Sequence, residues 1–123
     1  MAWRFSEDRP LWIQLTEIIT LKIVSGEYAL GSPLPSVRAF AQEAGVNPNT
    51  VQRAMAELES QGFIETRRTA GRTVTEDMQL ITQKRKQLAF EQINQFMKAM
   101  TALGYTWAEV KNLLENWERE EEK

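Results

Sequence analysis

Apolar residues fall at Leu11, Trp12, Leu15, Ile18, Ile19, Leu21 and Ile23, mostly at helical spacing, and Gly26 closes the run. Pro10 suits the first helical position, where its fixed φ is already correct and a backbone N–H would lack a partner. The stretch from Gly26 to Pro35 is rich in Gly, Ser and Pro and reads as turns. Ser36 can cap a short second helix carrying Val37, Phe40, Ala41 and Ala44, with Gly45 as its stop. Asn47 caps a third helix with Pro48 at its first position. Val51, Ala54, Met55 and Leu58 form its buried stripe, and Gly62 ends it. The short connection makes the second and third helices a tight helix-turn-helix.

Phe63 to Arg67 and Arg72 to Thr75 are short β-prone runs that read as a hairpin turned at Gly71. Beyond Thr75 the pattern becomes that of a long helix. Ala89, Ile93, Phe96, Met100 and Leu103 recur at alternating spacings of four and three, the seam of a helix that packs along another. Gly104 breaks it, Thr106 and Glu109 form a capping box, and Val110, Leu113, Leu114 and Trp117 share one face of a last helix. Two helices enclose no compact domain by themselves, so these stripes must meet each other, the preceding domain or a second copy. Dimerisation satisfies that requirement best. The expected fold is mainly α (α+β): a winged helix-turn-helix over residues 1–75, then a two-helix dimerisation region over residues 76–123.

The 123 residues include no Cys and no His. This excludes disulfides, Cys or His zinc sites, Cys nucleophiles and His-based triads. There is no phosphate-binding Gly-x-x-x-x-Gly-Lys loop, and the carboxylates Glu17, Glu43, Glu57 and Glu91 scatter over helix exteriors. No enzyme, metal site or cofactor is expected. The start of the chain lacks a secretion signal's apolar core, and no apolar run has the length of a membrane span, so a cytoplasmic protein is expected. The net charge of −2 disfavours nucleic acid only until its distribution is considered. The segment from Glu109 to Lys123 carries −3, leaving +1 on the rest, and six basic residues against two acidic ones lie between Arg67 and Lys86. Local charge sets the attraction for phosphates.

With the apolar stripe inward, the third helix turns Asn47, Asn49, Thr50, Gln52 and Arg53 outward near its N-terminus. These are donor-rich side chains on the end of a helix that enters a major groove. Arg67, Arg68 and Arg72 surround the hairpin tip at Gly71, where a wing reaches phosphates or a minor groove. Double-stranded operator DNA is the expected partner, with the other reading a winged-helix protein-interaction module. Any small-molecule effector would have to bind among the long helix, the last helix and the winged domain, where Phe96, Trp107 and Trp117 suit an apolar or aromatic ligand.

Pro10 to Gln14, Leu34 to Ala41, Val46 to Ala54 and Leu58 to Ile64 together resemble the N-terminal domain of GntR-family transcriptional regulators. The brief C-terminus is similar to the YtrA-like branch of that family. The resemblance implies a dimeric winged helix-turn-helix repressor of a bacterial cytoplasm, and a two-fold dimer of such domains is expected to bind a palindromic operator. It implies a DNA-gripping role for Arg38 and places Asn49, Thr50, Gln52 and Arg53 at recognition-helix positions. The wing departs from the family's Gly-x-Gly-Thr-Phe-Val pattern, reading Thr69-Ala70-Gly71-Arg72-Thr73-Val74.

Overall fold

The protein, as a computed structural model, is described over residues 3–69 and 71–122. Met1, Ala2, Lys123 and the wing residue Ala70 lie outside the described residues. The order is α1 (Leu11–Val24), α2 (Val37–Ala44), α3 (Pro48–Ser60), β1 (Ile64–Arg67), β2 (Gly71–Val74), α4 (Met78–Ala102) and α5 (Trp107–Glu121). Two compact units divide between Arg85 and Lys86. The winged unit thus extends beyond Thr75 into the start of α4, where Ile81 is buried.

Pro10 is extended (φ −55°, ψ 142°) and precedes α1, so Leu11 and not Pro10 opens the helix. The buried face of α1 also differs from the apolar pattern. It contains Gln14, Thr16 and Thr20, while Leu11 and Leu21 are exposed. Both threonines satisfy their hydroxyls within the helix: Thr16 Oγ1 donates to the Trp12 carbonyl at 2.7 Å and Thr20 Oγ1 to the Thr16 carbonyl at 2.8 Å. Gln14 binds the preceding segment, accepting from the Ser6 N–H at 2.8 Å and donating to the Ser6 and Arg9 carbonyls. Buried polar groups need such partners, which the apolar periodicity does not register.

Ser36 Oγ accepts from the Ala39 N–H at 3.1 Å and caps α2. Gly45 (φ 75°, ψ 36°) ends it in the left-handed region, where a Cβ would be strained. Asn47 Oδ1 accepts from the Asn49 N–H at 2.8 Å and starts α3. The core joins Leu15, Ile19 and Ile23 of α1 with Phe40 of α2 and Val51, Met55 and Leu58 of α3. Trp3 and Tyr28 meet Phe40 edge-on, and Lys22 Nζ lies 5.0 Å over the Trp3 ring.

The strands pair antiparallel from Ile64↔Val74 to Arg67↔Gly71. The segment expected as turns borders the other edge of β2. The Gly31 N–H donates to the Val74 carbonyl, the Val74 N–H to the Ser32 carbonyl and the Leu34 N–H to the Arg72 carbonyl. β2 is therefore hydrogen-bonded along both edges, and its Thr73 and Val74 are both buried.

In the second unit the capping box forms as the sequence predicts, with Thr106 Oγ1 accepting from the Glu109 N–H and the Glu109 carboxylate accepting from the Thr106 N–H. Val110 is fully buried, and Phe96 and Met100 are half-buried. Much of the predicted apolar stripe remains open: Ile93 is 51%, Leu103 73% and Trp117 62% exposed, and Ala89, Leu113 and Leu114 are exposed as well.

Candidate nucleic-acid interface

The caps and the inward stripe fix the rotation of α3, and with it the face left over. Asn49, Gln52 and Arg53 are exposed on that face, Thr50 is half-buried at its edge, and Asn47 stands exposed at the cap with its side-chain Oδ1 accepting from the Asn49 N–H. Pro48 has no N–H and the Asn49, Thr50 and Val51 N–H groups all donate to Asn47, so it is the positive dipole end of α3, not free amides, that adds to the attraction for a phosphate.

Two neighbours hold this face at its flanks. From α1, the Trp12 ring lies under Arg53, with the guanidinium carbon 4.2 Å from the ring centre. From β2, Arg72 Nε donates to Glu59 Oε1 at 2.7 Å and Arg72 Nη2 to Gln52 Oε1 at 3.3 Å. Thr66 Oγ1 of β1 also donates to Glu59 Oε1, at 2.8 Å. The hydrogen bond from Arg72, then that from Thr66, holds the Glu59 carboxyl below its ordinary range. Both strands of the wing are thereby fastened to α3. Because a guanidinium offers no acceptor, the amide atom of Gln52 facing Arg72 must be its oxygen. The Gln52 NH2 group is then the end left to donate elsewhere.

The remaining candidate cations differ in their commitments. Arg67 pairs with Glu65 at 3.0 Å on the exposed side of β1. Arg38, exposed on the first turn of α2, and Arg68, exposed beyond β1, form no ion pair among the described residues. Gly71 (φ 70°) enters β2 in the left-handed region, and a Cβ there would meet open space, so backbone conformation alone demands glycine. Sequence reasoning missed Trp12, Glu59 and Thr66. The spacing of Gln52 and Glu59, two helical turns apart, offered a signal for a shared partner. Among the described residues there is no group of three carboxylates that could hold a metal ion, and no helix is long and apolar enough to cross a membrane.

A polar recognition helix fastened to a basic hairpin defines a DNA-binding winged helix-turn-helix domain. Residues 13–74 match the gntR family of bacterial regulatory proteins. The chain belongs to that family and is a DNA-binding transcriptional regulator, not an enzyme. It is 36% identical over 107 residues to the HTH-type transcriptional regulator YhcF of Bacillus subtilis, covering 87% of this chain and 88% of that protein. The HTH-type transcriptional repressor YtrA of Bacillus subtilis is 34% identical over 91 residues, covering 67% and 70% of the two chains. Among solved structures, a GntR family transcriptional regulator from Listeria monocytogenes superposes with a TM-score of 0.82 at 35% identity, covering 91% of this chain and 98% of that one. The AraR DNA-binding domain in complex with operator ORX1 superposes with a TM-score of 0.53 at 26% identity, covering 61% of this chain and 92% of that one.

Proposed function

We propose that the chain is a homodimeric repressor that binds a palindromic operator in a bacterial cytoplasm. The carrying observation is the open apolar surface of the second unit: Ile93, Leu103, Leu113, Leu114 and Trp117 are exposed in a single chain. Large apolar side chains left partly in water along and just beyond α4 and on α5 forgo about 25 cal/mol for each Å² of apolar surface exposed, and a second copy would cover them. A two-fold dimer presents its recognition helices to half-sites about 34 Å apart or a multiple of it, which calls for an inverted repeat. The repressor name of YtrA and the operator complex of AraR support the same reading. A protein-interaction module would instead need an apolar outward face on α3, where Asn49, Gln52 and Arg53 stand.

Within this reading Arg38, Arg67 and Arg68 neutralise phosphates, Arg72 does so while pinning the wing, and Arg53 with Gln52 reads base edges. The test is selection of duplexes from a random pool by the full chain, paired with sedimentation at micromolar concentration. A dimer that enriches an inverted repeat is the expected result. A monomer, or a pool with no symmetric sequence, overturns the proposal.

A further inference from the structure

The indole of Trp12 is the feature of the DNA face that no expected role absorbs. It is half-buried at the start of α1, its carbonyl receives the Thr16 hydroxyl, and Leu15 beside it is fully buried, so its backbone is fixed in the core packing. Arg53, exposed on the recognition helix, forms no ion pair among the described residues. Its guanidinium lies against the Trp12 ring at 4.2 Å. We propose that Trp12 is a positioning residue for Arg53, making base discrimination by the recognition helix depend on a side chain of α1. The proposal rests on the reading of α3 as the base-reading helix.

The chemistry of the contact favours this role. A cation over a ring face is held by the ring quadrupole, and stacking covers only the plane of the guanidinium. Its N–H donors point outward along the edge and remain available for a bidentate contact, such as that to guanine O6 and N7. A long arginine side chain otherwise loses considerable rotamer freedom when it docks on a base, and a preformed stack removes part of that loss before DNA arrives. A carboxylate partner would hold the side chain equally well, but it would compete for the same N–H donors and repel the DNA. An aromatic ring does neither.

The experiment measures binding of the full chain to its selected operator, to the same duplex altered at the base pair where Arg53→Ala loses discrimination, and to random DNA. Trp12→Leu should lower discrimination at that base pair by about 2- to 30-fold, the range of a cation–π contact. It should leave random-DNA affinity and the salt slope unchanged and have no further effect in the Arg53→Ala background. Trp12→Phe, which keeps a ring of suitable size, should restore most of the loss. A Trp12→Leu chain that binds all duplexes more weakly in equal proportion, or that loses discrimination equally with and without Arg53, overturns the proposal and leaves Trp12 a packing residue. A wild-type chain that discriminates while Trp12→Leu and Trp12→Phe both discriminate as well overturns this proposal alone. A wild-type chain with no sequence preference overturns the DNA-reading proposal and this one with it.

Discussion

Thr73 stands on β2 with its hydroxyl buried and without a hydrogen-bond partner among the described residues. An orphaned hydroxyl costs about 1–3 kcal/mol, and valine has nearly the same shape. Thr73→Val should therefore raise stability by about 1 kcal/mol, measured as a higher Tm or urea midpoint; an unchanged or lower midpoint would show that the hydroxyl is satisfied in solution. The cationic residues should divide by the company they keep. Arg38→Ala or Arg68→Ala, removing cations with no acidic partner among the described residues, should weaken binding to all duplexes alike. Each should lower the salt slope by ~0.9, the signature of one lost phosphate contact. Arg72→Ala should also loosen the wing, because it releases Glu59 and Gln52.

Among the elements, the attachment of the wing to α3 is sensitive to acid. Glu59 is held below its ordinary range by Arg72 and then Thr66, so the charged carboxylate is favoured in the folded state. Its stabilisation is fully present above the usual glutamate range and is lost as pH falls through the lowered folded value. With both side chains about one third exposed, the pair is worth about 1 kcal/mol or less. The stability difference between wild type and Glu59→Gln should be measurable at pH 7 and shrink toward pH 3; a difference that grows with acid would contradict the assignment. Asn47→Ala should cost about 1 kcal/mol through loss of the α3 cap, read in the same melts.

These elements also show what the sequence made legible. The caps of α2, α3 and α5 follow local rules, in which a side-chain oxygen serves N–H groups two or three residues away, and they appear where the residues call for them. The hairpin follows from β-prone runs about a glycine, and the outward face of α3 from its inward stripe. The Gly31 to Leu34 edge of the sheet was not legible, because its pairing with β2 joins residues far apart in sequence and turn-forming residues mask it. The stack of Arg53 on Trp12 and the clasp of Arg72 on Glu59 were hidden for the same reason: each joins two elements whose contact depends on tertiary packing. The buried polar side of α1 was obscured differently, by threonines that satisfy themselves within the helix.

At the scale of the whole molecule, the two units divide the proposed work between DNA recognition and pairing. Phe96→Glu should weaken the dimer by placing an unpaired charge in its seam, seen as a shift toward monomer in sedimentation. A chain ending at Arg85 retains Ile81 and should fold as a monomer, whereas one ending at Thr75 loses that buried side chain and should melt lower. In the proposed division of labour the face of α3 reads sequence while the surrounding arginines supply charge. A salt series of binding isotherms for wild type, Arg53→Ala and Arg68→Ala on operator and random duplexes separates the two roles. Arg53→Ala should lose about 1–3 kcal/mol on the operator at one base-pair position, and Arg68→Ala should weaken both duplexes equally. If Arg53→Ala weakens both duplexes equally while Arg68→Ala spares random DNA, the division of labour is the reverse of the one described.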